Sequence, residues 1–314
     1  MTRAFLFPGQ GSQAVGMGRQ VADAFASARE VFQEVDEALQ QNLSRLMWEG
    51  PESDLTLTEN AQPAIMAASF AIIRVLQREA GFDLARHGRL VAGHSLGEYS
   101  ALAAAGAFAL GDAARLLRIR GTAMQQAVPA GEGAMSALLG IEVADAEAAA
   151  IEAAAQGGIC VVANDNAPGQ VVISGTRETV DRAGHCAKEK GARRVLALAV
   201  SAPFHCSLMQ PAADAMREAL AQVTIRPPSV PIVANVTAAE THEPETIRRL
   251  LVEQITGRVR WRETVLSFRH LGIETTVECG GNKVLTGMVK RTDRELETLS
   301  LDSPGDIDAF AKTL

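Results

Sequence analysis

A serine between two glycines lies where an apolar strand pattern changes to a helix pattern. The pentapeptide Gly93-His94-Ser95-Leu96-Gly97 follows "RLVA" and precedes "EYSALAAAGA". It fits G-x-S-x-G, in which the glycines permit a tight strand-to-helix turn that exposes the serine hydroxyl. The positive N-terminal end of the following helix favours negative charge nearby. We therefore predict that Ser95 is a nucleophile and that the Leu96 N–H donates to an oxyanion; the plainer alternative is a serine that only caps the helix.

A serine nucleophile needs a base that takes its proton. Of the six histidines in the chain, four are predicted to lie on the surface or to point away from the serine: His87, His185, His242 and His94. His205 stands in "SAPFHC", directly after the apolar pattern "VLALAV", where a loop would face the carboxyl edge of a sheet. We therefore favour His205 as the base. His270, which lies within a helical pattern, is the alternative.

An arginine lies on a helix pattern that is otherwise apolar. Arg120 belongs to "ARLLRIRGTAM", where its neighbours include Leu116, Leu117 and Ile119. Such an arginine commonly extends along the surface with its charged end in water. Alternatively, its guanidinium points into a pocket, where the planar group can bind a substrate carboxylate through two parallel hydrogen bonds. The position in the helix leaves both readings open.

The composition is that of a globular enzyme. The chain has 314 residues, of which 47% are hydrophobic and 21% charged, so it can bury a sizeable core. The formal net charge is −7. We expect no nucleic-acid partner, because neutralising a phosphate backbone requires a basic surface.

The cysteines and the start of the chain indicate a cytoplasmic protein. Cys160, Cys186, Cys206 and Cys279 show no C-x-x-C spacing, so we predict reduced thiols and no metal site. The apolar residues of "MTRAFLFPGQG" are too few for the core of a signal peptide. We expect no membrane span, because a spanning helix needs about 20 consecutive apolar residues.

Strand and helix patterns alternate through the first part of the chain. A short apolar strand pattern ends at Phe7, helical spacing runs over 18–40 and 60–77, and a strand at 90–92 precedes a long helix from Leu96. Alternation of this kind is typical of α/β folds with a mainly parallel sheet, whose ligands bind at the carboxyl ends of the strands. We therefore predict a large domain of the α/β-hydrolase type.

The middle of the chain has a different order of elements. Strand patterns at 134–140, 159–165, 170–175 and 193–200 alternate with helix patterns at 143–156 and 176–190. The order βαββαβ is that of a ferredoxin-like unit. We predict that residues 128–200 form this subdomain, inserted into a discontinuous α/β domain of residues 1–127 and 201–314.

Six sequence blocks, taken together, resemble a known family, the malonyl-CoA:acyl carrier protein transacylases of bacterial fatty-acid synthesis. Their order and spacing are far more specific than G-x-S-x-G alone. The blocks are "FPGQGSQ" at 7–13, "GHSLGEYSAL" at 93–102, "RG" at 120–121, "GQVVISG" at 169–175, "SAPFH" at 201–205 and "EQITGRVRW" at 253–261. The resemblance covers the chain from Ala4 to about Lys290.

The resemblance implies a reaction and its main residues. Ser95 would be the acylated nucleophile, His205 its general base and Arg120 the ligand of the free malonyl carboxylate. The malonyl group would pass from malonyl-CoA to the phosphopantetheine thiol of acyl carrier protein. Neither a metal nor a prosthetic group would be required. We expect a monomer without nucleic-acid or membrane partners.

The resemblance also implies supporting residues near the reaction. The backbone N–H of Gln10 would join that of Leu96 in binding the oxyanion. A main-chain carbonyl at Gln254 would orient the histidine, where other serine enzymes use an acidic side chain. Family members commonly have Ser-Pro after this block, whereas this chain has Gly257-Arg258, and the departure puts the geometry of the loop in question.

Three other functions compete with this one. A serine esterase or thioesterase would need an acidic partner for its histidine, and neither the inserted unit nor Arg120 fits it. A catalytically idle acyl-binding domain is disfavoured, because the nucleophile, base, arginine and Gln10 are all present. The same acyl transfer could instead serve polyketide synthesis or malonate decarboxylation, which the sequence leaves open.

Overall fold

The computed structural model describes residues 2–200 and 202–314. Met1 and Ser201, at which two predicted segments begin, lie outside the described residues. The described strands are β1 (Arg3–Phe7), β2 (Leu90–Gly93), β3 (Gly133–Leu139), β4 (Cys160–Ala167), β5 (Gln170–Thr176), β6 (Arg194–Ala197), β7 (Ile232–Ala234), β8 (Ala239–Thr241), β9 (Thr275–Cys279) and β10 (Glu297–Leu301).

Helices pack against both groups of strands. The described helices are α1 (Arg19–Ala24), α2 (Ala26–Leu39), α3 (Leu43–Glu49), α4 (Glu52–Thr56), α5 (Thr58–Glu79), α6 (Leu84–His87), α7 (Gly97–Ala104), α8 (Leu110–Gln126), α9 (Val143–Ala154), α10 (Arg177–Glu189), α11 (Gln210–Ala221), α12 (Pro244–Thr256), α13 (Trp261–His270), α14 (Val284–Thr292) and α15 (Pro304–Ala311). Within the described ranges, no helix has the length and apolarity needed to cross a membrane.

The larger sheet is mainly parallel and has the order β10-β9-β1-β2-β7-β8. Only the edge pair β7 and β8 is antiparallel among its described pairings. The central strands are almost entirely buried, as the near-continuous apolar runs of parallel strands require. Because β1, β2 and β7 are neighbours that run in the same direction, the residues that follow each of them meet at one edge of the sheet.

A separate sheet is antiparallel and has the order β4-β5-β3-β6. Its strands and helices follow one another as β3, α9, β4, β5, α10 and β6, which is the βαββαβ succession predicted from the sequence. Apolar residues of α9 and α10, such as Ala149 and Val180, form a separate core with residues of this sheet, such as Val162 and Ile173. A bridge between Asn164 and Val259 connects β4 to the chain before α13.

Three predicted elements are wrong in their extent. The single helix predicted over 18–40 is two helices, because Phe25 adopts an extended backbone and turns the chain between α1 and α2. The predicted long helix after Leu96 ends at Ala104, and Gly106 with φ of 78° closes its end in the left-handed conformation that favours glycine. The strand predicted over 193–200 pairs only from Arg194 to Ala197.

The predicted strand-to-helix turn of residues 93–97, here called the elbow, contains two glycines that allow backbones to approach closely. A Cβ on Gly97 would overlap the carbonyl oxygen of Phe7, and a Cβ on Gly93 would overlap the carbonyl oxygen of Gly97. The start of α7 therefore packs directly on the carboxyl end of β1. Glycine is required here for space, although neither residue has a positive φ.

Gly97→Ala should lower the free energy of unfolding by about 1–3 kcal/mol, because the added methyl group forces α7 away from β1. Gly287→Ala is the matched control, since Gly287 lies in α14 and a Cβ there would meet no atom of another element within 4 Å. This variant should be neutral or stabilising by up to about 1 kcal/mol. Urea unfolding of the two variants measures the difference. Equal stabilities would contradict the packing argument.

Candidate active site

Ser95 lies in the turn between β2 and α7 and has a left-handed backbone, with φ of 54°. This conformation is uncommon for a residue other than glycine and is found preferentially at functional sites. The Ser95 N–H donates to Asn235 Oδ1 at 2.7 Å. The strained turn thus carries the serine at the carboxyl edge of the larger sheet, as the sequence predicts.

His205 is bonded to the serine and is held by backbone carbonyls. Its Nε2 lies 2.8 Å from Ser95 Oγ, and its Nδ1 lies 2.8 Å from the Gln254 carbonyl oxygen and 3.2 Å from that of Gly257. Because both carbonyls only accept, Nδ1 carries the hydrogen and Nε2 is left to accept the serine proton.

The histidine is neutral in this environment. It is only 3% exposed. Burial, and next to it the positive charge of Arg120, lower the pKa of His205 to about 3. An imidazole with this pKa is unprotonated at neutral pH and can act as a base.

Arg120 is buried, with 1% of its surface exposed. Its Nη2 donates to Ser95 Oγ at 3.1 Å and to Gln254 Oε1 at 2.8 Å, and its Nη1 donates to Gln62 Oε1 at 2.8 Å. These bonds use three of the five N–H donors of a guanidinium, and Nε has no partner within the described part of the chain.

The charge of Arg120 is not neutralised by direct contact. Burial lowers its pKa, but an arginine side chain stays protonated in proteins. Among the ion pairs of the described residues, none includes Arg120. A buried cation with free donors can bind a carboxylate brought by a ligand, which would supply the missing counter-charge.

Gln254 connects the arginine to a buried glutamate. Its Nε2 donates to the Ser95 carbonyl oxygen at 2.9 Å and to Glu98 Oε2. The other oxygen of Glu98 accepts the Asn235 N–H at 3.2 Å. Burial raises the pKa of Glu98 to about 8, against the lowering effects of these hydrogen bonds and of Arg120. The side chain and the carbonyl of Gln254 therefore fix both the arginine and the histidine.

Two backbone amides close to Ser95 in the fold have no acceptor among the described residues. Within residues 2–200 and 202–314, neither the Gln10 N–H nor the Leu96 N–H donates a hydrogen bond. Gln10 follows β1, and its side chain donates to Thr58 Oγ1 at 3.3 Å. Gln10, Ser95 and His205 line a common cleft of about 470 Å³. Free amides beside a serine hydroxyl can stabilise an oxyanion.

The structure brings together the residues predicted from the sequence: Ser95, His205, Arg120, Gln10, Leu96 and Gln254. The alternative base His270 is exposed at the end of α13. His94 lines the cleft, but its Nε2 bonds to Asn166 Oδ1 at 2.8 Å and so points to a partner other than Ser95.

The unusual Gly257-Arg258 pair leaves the histidine contacts in place. The Gly257 carbonyl oxygen is 3.2 Å from His205 Nδ1. Arg258 donates from Nε to the Val162 carbonyl oxygen at 3.2 Å and forms an ion pair with Glu147. Through these contacts the loop after α12 is tied to β4 and α9 of the antiparallel sheet.

Sequence reasoning missed three buried polar residues of the site, Gln62, Glu98 and Asn235. Glu98 belongs to the "GHSLGEY" block, and an acid in an otherwise apolar helix was a usable signal. Asn235 directly follows β7, where polar residues at the carboxyl edge indicate a site. Gln62 had no comparable signal, because the sequence pattern of α5 does not show which way a single amide side chain points.

At the edge of the parallel sheet the site combines an elbow serine, a buried histidine and two backbone amides without acceptors, an arrangement that suits acyl transfer through a serine. A family model described as "Acyl transferase domain" matches residues 4–304. The chain belongs to this acyl transferase family, and within it to the malonyl CoA-acyl carrier protein transacylases, as the following relatives show.

The relatives match over almost their whole length. The malonyl CoA-acyl carrier protein transacylase of Bacillus subtilis (strain 168) is 43% identical over 99% of this chain and 96% of its own. An acyl-carrier-protein-S-malonyltransferase structure from Bartonella henselae superposes with a TM-score of 0.97, at 50% identity over 100% of this chain and 99% of its own. A malonyl-transacylase solved in complex with a type II PKS acyl-carrier protein has a TM-score of 0.96, at 41% identity over 100% of both chains.

The low pKa of His205 predicts that the rate of acylation is nearly independent of pH between pH 7 and pH 5. Between pH 7 and pH 5, single-turnover acylation by malonyl-CoA should change by less than about twofold, whereas a base of ordinary pKa near 6.5 would lose about 25-fold. The reason is that lowering the pH over this range leaves an imidazole of pKa about 3 unprotonated. His270→Ala should give the same profile, and an acidic limb with its midpoint near 6.5 would contradict the assignment.

Proposed function

We propose that the protein transfers a malonyl group from malonyl-CoA to the phosphopantetheine thiol of acyl carrier protein, with a malonyl-Ser95 intermediate, for fatty-acid synthesis. The observation that carries the proposal is the buried Arg120, which has no carboxylate partner among the described residues and donates to Ser95 Oγ at 3.1 Å. A cation so close to the nucleophile suits an acyl group with a second, free carboxylate. The names of the relatives agree with this substrate.

The first half-reaction forms the acyl-enzyme. His205 Nε2 takes the proton of Ser95 Oγ as this oxygen attacks the thioester carbonyl carbon of malonyl-CoA. The carbonyl oxygen gains the negative charge and accepts hydrogen bonds from the N–H groups of Leu96 and Gln10. The intermediate then breaks the C–S bond, and the sulfur of CoA leaves with the proton from His205.

The second half-reaction runs the same steps in reverse order with another thiol. His205 takes the proton of the phosphopantetheine thiol, whose sulfur attacks the malonyl-Ser95 carbonyl. Collapse of the intermediate transfers the malonyl group to the carrier and returns the proton to Ser95. The reaction draws on side chains and backbone amides, and we propose that it needs neither a metal nor a prosthetic group.

Arg120 and Gln254 give this reaction its selectivity and its geometry in our proposal. The unused donors of the Arg120 guanidinium bind the free malonyl carboxylate and so place the thioester carbonyl at Ser95. The Gln254 carbonyl orients His205 at 2.8 Å. A backbone carbonyl thereby takes the place of the acid that orients histidine in other serine enzymes.

We also propose the wider organisation predicted from the sequence. Residues 128–200, which contain β3 to β6, form a ferredoxin-like subdomain inserted into an α/β-hydrolase-like domain of residues 1–127 and 201–314. The strand order β4-β5-β3-β6 supports this. The protein acts as a cytoplasmic monomer, without nucleic-acid or membrane partners; its described cysteines are free thiols, in keeping with a reducing compartment.

A second candidate differs only in the acceptor. The solved relative in complex with a type II PKS acyl-carrier protein shows that a chain of this fold can bind a carrier of polyketide synthesis. The same site would then supply malonyl groups to polyketides. Malonyl transfer measured with purified carriers of both pathways separates the two, and the higher kcat/KM identifies the acceptor.

Intact-mass measurement tests the proposed reaction. After mixing with malonyl-CoA, the protein should gain the mass of one malonyl group, and added phosphopantetheinylated carrier protein should remove it. Ser95→Ala should gain nothing, because no covalent intermediate can form. Rapid release of free malonate without transfer would indicate a hydrolase, and the absence of an adduct would indicate a binding protein.

Arg120→Ala should lower kcat/KM for malonyl-CoA about a hundredfold, because each lost hydrogen bond to a charged group is worth about 1.5–3 kcal/mol. Its activity with acetyl-CoA, which has no carboxylate, should rise relative to that with malonyl-CoA. Arg120→Lys should restore only part of the loss, since an ammonium lacks the planar fork. Arg115→Ala, which removes an exposed arginine of the same helix, is the control. An unchanged malonyl/acetyl ratio in Arg120→Ala would refute the role.

A further inference from the structure

Asn235 bridges the two sides of the turn that carries Ser95. It directly follows β7, the neighbour of β2 in the sheet, and is fully buried. Its Oδ1 accepts the Ser95 N–H at 2.7 Å, and its Nδ2 donates to the Gly93 carbonyl oxygen at 2.7 Å. One side-chain amide thus satisfies a donor and an acceptor that lie two residues apart in the elbow.

The bridged turn is strained at the residue that reacts. Ser95 has φ of 54°, a conformation that costs a non-glycine residue about 1–2 kcal/mol. Without the bridge, the Ser95 N–H and the Gly93 carbonyl would be buried without partners, and the turn would gain by relaxing toward ordinary φ values. Relaxation would move Oγ away from His205 Nε2 and Arg120 Nη2, because those atoms belong to other elements.

The bridge also determines which amide of the elbow stays free. Because Asn235 Oδ1 occupies the Ser95 N–H, only the Leu96 N–H of these two neighbouring amides is left to face an oxyanion. The two neighbouring amides therefore have different roles. The Ser95 N–H holds the nucleophile in place through Asn235, and the Leu96 N–H is left for the oxyanion.

Both backbone polar groups of Asn235 form hydrogen bonds that hold the residue in place. Its N–H donates to Glu98 Oε1 at 3.2 Å, and its carbonyl oxygen accepts the Arg260 N–H at 3.0 Å. Glu98 bonds in turn to Gln254, the residue that contacts both Arg120 and His205. The amide that braces the serine is thus part of one buried network with the groups that orient the other reacting side chains.

We infer that Asn235 is a positioning residue that holds the Ser95 hydroxyl in its reactive place. This inference rests on the proposed function in one respect, the role of Ser95 as nucleophile. An amide is required chemically, because aspartate would turn an acceptor toward the Gly93 carbonyl and alanine would leave both elbow groups unpaired. A purely structural asparagine would affect stability but not the reactivity of a serine in protein that is still folded.

The experiment compares Asn235→Ala with Val233→Ala. Val233 is fully buried on β7, the strand that Asn235 follows, and truncating its side chain weakens the core without removing a contact of the elbow. The readouts are the rate at which phenylmethanesulfonyl fluoride labels Ser95, the kcat and KM for malonyl-CoA, and the Tm. Both variants should lose stability, but Asn235→Ala should be labelled about tenfold to a hundredfold more slowly than Val233→Ala, since a displacement of about 1 Å can cost that much.

The kinetic constants should distinguish Asn235→Ala from Val233→Ala in the same way as the labelling rates. In Asn235→Ala kcat should fall with the labelling rate while KM stays within about threefold of wild type, as expected when an interaction with the reacting atoms is lost. If Asn235→Ala does not fold, Asn235→Ser serves instead, because its shorter hydroxyl cannot reach both Ser95 N–H and the Gly93 carbonyl.

Failure of this inference and failure of the proposed function would give different results. The inference would be overturned if the labelling rate and the kcat of the Asn235 variant lay within about threefold of those of Val233→Ala. A loss of that size needs no displaced nucleophile. A wild-type protein that is labelled at Ser95 but takes no malonyl group would refute the proposed function and leave the labelling comparison valid.

Discussion

The hydrogen bond from the buried Arg120 guanidinium to the Ser95 hydroxyl is the contact on which the rest of the site depends. Taking a cation out of water costs several kcal/mol unless partners compensate. The protein supplies neutral acceptors, the side-chain oxygens of Gln62 and Gln254, and leaves two donors unused. The same positive charge, after burial, keeps the pKa of His205 low. In the proposed reaction, the same buried charge therefore both binds the malonyl carboxylate and keeps the base neutral.

Parallel strands make this arrangement possible. The carboxyl ends of β1, β2 and β7 meet at one edge, so the residues after them converge although they are far apart in the chain. Gln10 follows β1, Ser95 follows β2 and Asn235 follows β7. The antiparallel sheet closes the other side of the cleft through Met135 and Asn164. Arg258 then connects the loop that holds the histidine to that sheet.

Residues whose chemistry is set by local pattern could be predicted, and those that depend on distant contacts could not. Ser95 was predictable because glycine spacing determines the elbow, and the βαββαβ order of residues 133–197 followed from periodicity. The direction of Arg120 was not, because surface and buried arginines occupy the same helical positions. Asn235 depends on the pairing of β2 with β7, which brings residues 140 positions apart together. The break between α1 and α2 falls at Phe25, where neither Gly nor Pro marks it in the sequence.

The crystal structure of the malonyl-Ser95 enzyme is the most direct test of the role of Arg120. We expect the malonyl carboxylate to accept two hydrogen bonds from the Arg120 guanidinium at about 2.7–2.9 Å, with the ester carbonyl oxygen facing the Leu96 and Gln10 N–H groups. A carboxylate that extends into the open cleft, with Arg120 still bound only to its present partners, would contradict this role.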